Sequence, residues 1–162
     1  MKRFISLILS LFLLISFCGC NDKKDSFEDP VQFYYRSSII SYNSEISVIR
    51  GETQEGSGYD LVGLINKYLQ GPITDECLSP FPAGITVLSI ETSQGKTYIS
   101  LNKPFADLSG IALSLACACL SKTVMELTES SVVEISVPNS HLSGNASIIM
   151  DAQTILLLDK SF

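Results

Sequence analysis

The side chains able to do chemistry in this 162-residue chain are few: five cysteines, one histidine and seventeen acidic residues. His141, the only histidine, lies in the turn-rich segment 138–145 with no nucleophile-bearing motif beside it, so it reads as a solvated loop residue and not as a general base. Asp75-Glu76 lie in a loop, and Glu126 and Glu129 flank a helix end on its polar side; both pairs read as solvated carboxylates. Cys117 and Cys119 stand two residues apart inside a helical pattern, where side chains do not face one another. They cannot easily bond to each other or chelate a metal as a pair. Buried free thiols are the expectation, with a bridge from Cys77 to one of the two as the alternative. No glycine loop suited to phosphate, no Cys or His cluster at metal spacing and no basic stripe occurs. The sequence therefore points to a protein that is not an enzyme, with no catalytic set, no metal and no cofactor.

One cysteine has a clear chemical context. Met1-Lys2-Arg3 is a basic opening, residues 4–17 are apolar apart from three serines, and Phe17-Cys18-Gly19-Cys20 closes the run before Asn21-Asp22-Lys23-Lys24-Asp25. A spanning helix needs about 20 apolar residues to cross roughly 30 Å of hydrocarbon, so this run is a secretory signal and not a permanent anchor. The small Gly19 directly before Cys20 resembles the bacterial lipobox, in which the cysteine thiol receives a diacylglyceryl group and becomes the first residue after cleavage. Phe17 stands where such motifs usually carry Leu, Val or Ile, and Cys18 cannot take the role instead, because bulky Phe17 would sit at its cleavage position. One acyl chain binds a bilayer only marginally, at about 0.8 kcal/mol per buried methylene, whereas two or three palmitate-type chains hold firmly. The expected division is a signal peptide over 1–19, lipidated Cys20 with a short polar linker over 20–30, and one domain over 31–162. The expected location is the extracytoplasmic face of the cell membrane.

The net charge of −6 becomes −8 once Lys2 and Arg3 leave with the signal. An acidic surface excludes nucleic acid and a polybasic membrane patch as partners, leaving the acyl chains as the contact with lipid. Without the signal 143 residues remain, enough for one domain that buries roughly 68–70% of its unfolded surface.

The elements follow from periodicity. Val31, Phe33 and Tyr35 alternate with Gln32, Tyr34 and Arg36 as in a half-buried strand, and a second strand is expected over 45–50, followed by a polar loop over 51–58. Leu61, Leu64, Ile65, Tyr68 and Leu69 form one helical face, capped by Asp60 or Ser57 and ended at Gln70 by Gly71-Pro72. Residues 73–84 read as loop. Strands over 85–92 and 96–101 are joined through Ser93-Gln94-Gly95, where the glycine can take a left-handed conformation. A longer helix over 108–128 carries Leu113, Cys117, Leu120, Val124 and Leu127 on one row and a second apolar row in its first half, which suits a central helix; a seam offered to a partner is the alternative. Residues 132–137 alternate as a strand, and 147–150 with 154–158 read as a last hairpin. The order predicts an α+β fold, with both helices packed on one face of a mainly antiparallel sheet.

Several of these segments coincide with one family. Tyr68-Leu69-Gln70-Gly71-Pro72, Ser79-Pro80-Phe81-Pro82-Ala83-Gly84, Val87-Leu88-Ser89-Ile90, Gly95, Tyr98-Ile99-Ser100-Leu101 and Val133-Glu134-Ile135-Ser136-Val137 resemble the GerMN (sporulation and spore germination) domain of Gram-positive lipoproteins. The resemblance covers 31–137 and implies a fold similar to ring-building motifs. It also implies a non-catalytic scaffold or binding role in the cell envelope, through a protein partner or self-association. The competing expectation is a small-ligand or cell-wall binding module using residues 73–84 as a lip. Tyr34, Tyr42, Tyr59 and Phe81 are the aromatic candidates for contact anchors, while Phe33 and Tyr35 read as core.

Overall fold

A computed structural model describes residues 29–39 and 47–160. The signal peptide, Cys20 and its linker up to residue 28, and Tyr42 lie outside the described residues. Seven strands, three helices and a 3-10 turn lie within them: β1 (Pro30–Ser37), β2 (Ile49–Glu55), α1 (Leu61–Leu69), β3 (Cys77–Leu78), β4 (Val87–Ser93), β5 (Lys96–Leu101), the turn Lys103–Asp107, α2 (Gly110–Thr128), β6 (Val132–Ser136), β7 (Ser147–Asp151) and α3 (Ala152–Lys160). The α+β class holds, but the strands divide into two sheets, ordered β2-β1-β3 and β4-β5-β6-β7.

The four-stranded sheet is built on cross-strand rows. Ile90, Ile99, Ile135 and Ile148 stand in register across all four strands, next to a row of Ser89, Ser100, Ser136 and Ser147. Successive residues of a strand point to opposite faces, so the isoleucine row and the serine row turn opposite ways. The buried Ile99, Ile135 and Thr97 belong to the isoleucine side, against α2. Gln94 and Gly95 both have positive φ, 52° and 73°, the pair of left-handed residues that a two-residue hairpin turn requires. A register shift between Val87 and Ser89 displaces Leu88 outward, so Leu88 and Ile90 do not share a buried face as their spacing suggested. β6 is parallel to β5 because α2 forms the crossover between them, while β7 returns antiparallel.

β2 lies later than the alternation predicted. The polar run Gly51-Glu52-Thr53-Gln54 is strand and not loop, paired Phe33 to Glu52 and Val31 to Gln54. Glu52 and Gln54 share the inner face with these apolar residues and are buried, each bonded by neighbouring donors or acceptors. Buried polar residues that are fully bonded leave no apolar signature for a strand. The expected last hairpin is a strand followed by α3. Asp151 accepts from the Thr154 amide at 2.7 Å, a helix cap, and Ile155 packs into the core. A short apolar run such as Ile155-Leu156-Leu157-Leu158 suits either state, and only its cap separates the two.

Helix α2 joins the two sheets. Every residue from Leu115 to Ser121 is buried, two turns enclosed on all sides, and Ala116 and Ala118 allow close approach. It lies along β1 on one side and across β5, β6 and β7 on the other. A central helix between two sheets replaces two helices on one face. α1 begins at Asp60, whose side chain accepts from the Gly63 amide at 2.7 Å, and ends before Gly71 at φ 110°. It buries Ile65, Tyr68 and Leu69.

Tyr68 is the hub of an aromatic cluster with Phe33, Tyr35 and Phe81 at centroid distances of 5.3, 4.9 and 5.2 Å. Such pairs contribute roughly 0.5–1.5 kcal/mol each beyond buried area. Its hydroxyl donates to the Tyr34 carbonyl at 2.7 Å, and the Tyr34 amide donates to Thr123 Oγ1 at 2.9 Å. Tyr68→Phe leaves that carbonyl without its donor and should cost about 1–3 kcal/mol. In urea unfolding this is expected as a lower midpoint at an unchanged slope.

Candidate functional site

The residues singled out from sequence are dispersed. His141 is exposed, as are Asp75, Glu76, Glu126 and Glu129, and Glu76 forms an ion pair with Arg50. Among the described residues no three His, Cys, Asp or Glu side chains come together as a metal cluster would. Cys77, Cys117 and Cys119 are free and buried. Burial pushes the Cys117 thiol up to about 12, and burial together with the Asp159 charge pushes Cys119 higher still. Neither thiol becomes a nucleophile near neutral pH while the domain is folded. Of the aromatic candidates, Phe81 is core, Tyr59 is exposed, and Tyr34 is half-buried under the Lys122 ammonium at 4.6 Å from its ring. Lys67 and Lys96 sit over Tyr59 and Tyr98 in the same way. Tyr98 is exposed and escaped the sequence reading because its strand was judged by its buried face.

Two features were not foreseen. The first is the polar cluster behind the inner face of β1 and β2. Glu52 Oε1 accepts from the Ile73 amide at 2.8 Å and Gln54 Nε2 at 2.7 Å; Oε2 accepts from the Thr74 amide at 3.0 Å and its hydroxyl at 2.6 Å. Burial by itself would raise this carboxyl, but the donations from Ile73, Thr74 and Gln54 outweigh it and hold it below the ordinary range. Tyr35 stands next to it, accepting from Gln54 and donating to the Tyr68 and Gly71 carbonyls at 3.0 and 3.1 Å. The Tyr68 carbonyl, at the end of α1, also accepts from the Gly71 amide at 3.1 Å, so the phenol adds a second donor there and ties down the turn that follows.

The second is a groove of about 600 Å³ between the first half of α2, β7 and α3. Leu113, Cys117, Ile148, Met150 and Leu158 line it, and no charged residue does. Ile111 on its rim is 66% exposed and Ile149 is 58%, with Leu157 of α3 at 65%. From Leu115 to Ser121 α2 is buried, so its exposed contribution to this surface comes from the first turn, at Gly110 and Ile111. Exposed aliphatic side chains around an uncharged groove can take up apolar side chains or an apolar ligand; they offer nothing to polarise a bond. The helix pattern announced α2, but one wall of the groove is α3, at Thr154 and Leu158, which the sequence reading had placed as a strand.

With the thiols protonated and enclosed, a maleimide applied to the folded domain near neutral pH should leave Cys77, Cys117 and Cys119 unmodified, and labelling should appear only on denaturation. Mass spectrometry of peptides containing each residue reads the result.

No family model matches the chain, and no curated protein sequence matches it. Among solved structures it is similar to the tandem GerMN domains of the sporulation protein GerM from Bacillus subtilis, with TM-score 0.55 and 20% identity, over 72% of this chain and 41% of that one. It is also similar to the first GerMN domain of the same protein, with TM-score 0.50 and 12% identity, over 64% of this chain and 85% of that domain. The chain thus spans about two fifths of the tandem structure. Two packed sheets sharing a central helix, with the Gly71-Pro72 helix end and the β4–β5 hairpin in place, give this chain the fold of a GerMN domain.

Proposed function

We propose that this chain is a non-catalytic lipoprotein of the cell envelope, anchored by acyl chains on Cys20 to the extracytoplasmic face of the membrane, whose domain binds another protein or a second copy of itself. The observation that carries the reading is the likeness of the fold to the GerMN domains of a sporulation protein. The signal-like N-terminus ending in Gly19-Cys20 supports the anchor. Large exposed aliphatics at Ile111, Ile149 and Leu157 support a protein contact, since each leaves apolar area in water that a partner could cover. A part in sporulation or germination is the finer form of this reading. The alternative, an extracytoplasmic module for a small ligand or the cell wall, has the volume of the uncharged groove in its favour.

Detergent-phase partition tests the anchor. The wild-type chain should enter the detergent phase and Cys20→Ser the aqueous phase; unchanged partition would remove the lipoprotein reading. Crosslinking in native membranes tests the partner: a defined adduct is expected with wild type and its loss with Ile111→Glu, at an unchanged melting temperature. A chain that crosslinks to nothing but is retained on peptidoglycan supports the alternative instead.

A further inference from the structure

Residues 73–76, which follow α1, lie on the surface, with Ile73 68% exposed, and gain little from apolar burial. What holds them is polar. Three of the four bonds accepted by Glu52 come from Ile73 and Thr74, and both carboxylate oxygens are doubly used. The side chain itself is only 6% exposed, so water does not compete for these positions. Further ties among the described residues include the Arg50–Glu76 pair at the surface, the Ser38 amide to the Glu76 carbonyl at 2.9 Å, the Cys77 amide to the Thr74 carbonyl at 3.3 Å and a side-chain bond between Thr74 and Cys77.

An ionised carboxylate is acceptor-only and suits four donors. Once protonated it presents an O–H beside the Ile73, Thr74 and Gln54 N–H groups, which can only donate, so the bonds on that oxygen weaken even where the Thr74 hydroxyl turns to accept. We infer that Glu52 is an acid-sensitive latch: its carboxylate holds residues 73–76 against the three-stranded sheet, and protonation releases that segment while the rest of the domain stays folded. The release is local because the buried face of α2, the isoleucine row and the aromatic cluster do not include Glu52. It admits water to Gln54 and the Tyr35 hydroxyl, and so reaches the end of α1.

The groups facing the latch leave it as the titrating element. From β1 comes the Tyr35 phenol and from β3 the Cys77 thiol; burial raises both, so they stay neutral below about pH 8. β2 contributes Gln54 and Arg50, and the segment itself contributes Asp75 and Glu76, which are exposed. Since the folded carboxyl lies below its unfolded value, the latch is fully closed above that unfolded value and opens as pH falls through the folded one.

Hydrogen exchange of the full chain in detergent, corrected for intrinsic rates, tests this. Between about pH 6.5 and about pH 3, the protection of the Ile73 and Thr74 amides should fall by roughly tenfold or more while β5 amides keep theirs. Glu52→Gln near neutral pH should match the acid form and lose the pH response. Thr74→Val, which removes one donor and keeps the carboxylate, should be intermediate and still respond; it decides the matter if Glu52→Gln does not fold. Equal protection in Glu52→Gln and wild type, a pH response that survives in Glu52→Gln, or loss at β5 in step with the segment would each overturn the latch.

Discussion

The architecture depends on how the backbone of β1 is satisfied on its second side. β2 pairs along its whole length, but β3 contributes only two residues, opposite Arg36 and Ser37. Beyond them the strand would present unpaired amide and carbonyl groups inside the protein, at a penalty of about 1–3 kcal/mol for each group left without a partner. At Tyr34 the two groups are taken up by side chains: Thr123 of α2 accepts from the amide and Tyr68 of α1 donates to the carbonyl. A strand edge is thereby closed by two helices instead of another strand. This is what lets a two-sheet arrangement exist around one helix.

From that closure the remaining contacts follow in sequence along one connected network. Tyr68 stacks with Tyr35, whose hydroxyl donates to the carbonyls at the end of α1 and accepts from Gln54. Gln54 donates to Glu52, and Glu52 receives the segment after α1. On the opposite side of α2 the isoleucines of the four-stranded sheet complete a mainly apolar core, whose polar members include Thr97, bonded to the Thr92 and Thr128 hydroxyls, and Ser130, bonded to Thr128. One half of the molecule is held by directional bonds, and the other chiefly by apolar contact. The C-terminal helix is attached by a third means: Asp159 accepts from the Ser47 hydroxyl and the Ile49 amide at the start of β2. That attachment completes one wall of the uncharged groove.

The described residues enclose their thiols and expose their histidine; Glu52 and Asp159 are used in hydrogen bonds, and Glu76 and Glu134 pair with Arg50 and Lys96. The surface combines lysine-covered tyrosines, a row of serines and a set of exposed aliphatics.

The sequence by itself determined α1 with its Asp60 cap and Gly71-Pro72 end, the hairpin at Gln94-Gly95, the alternation of β1 and β6, the enclosed character of α2 and the burial of Cys117 and Cys119. Each of these is a local rule: a periodicity, a cap, or a residue suited to one backbone conformation. The tertiary structure decided what depends on partners distant in the chain. Gly51-Glu52-Thr53-Gln54 became strand because β1 and residues 73–74 supply its bonds; residues 154–158 became helix because the Asp151 cap and the core under Ile155 favour it; and the sheet split in two because α2 satisfies the edge of β1. A polar side chain reads the same in sequence whether water or a buried amide bonds it, so these placements are set by packing and not by pattern.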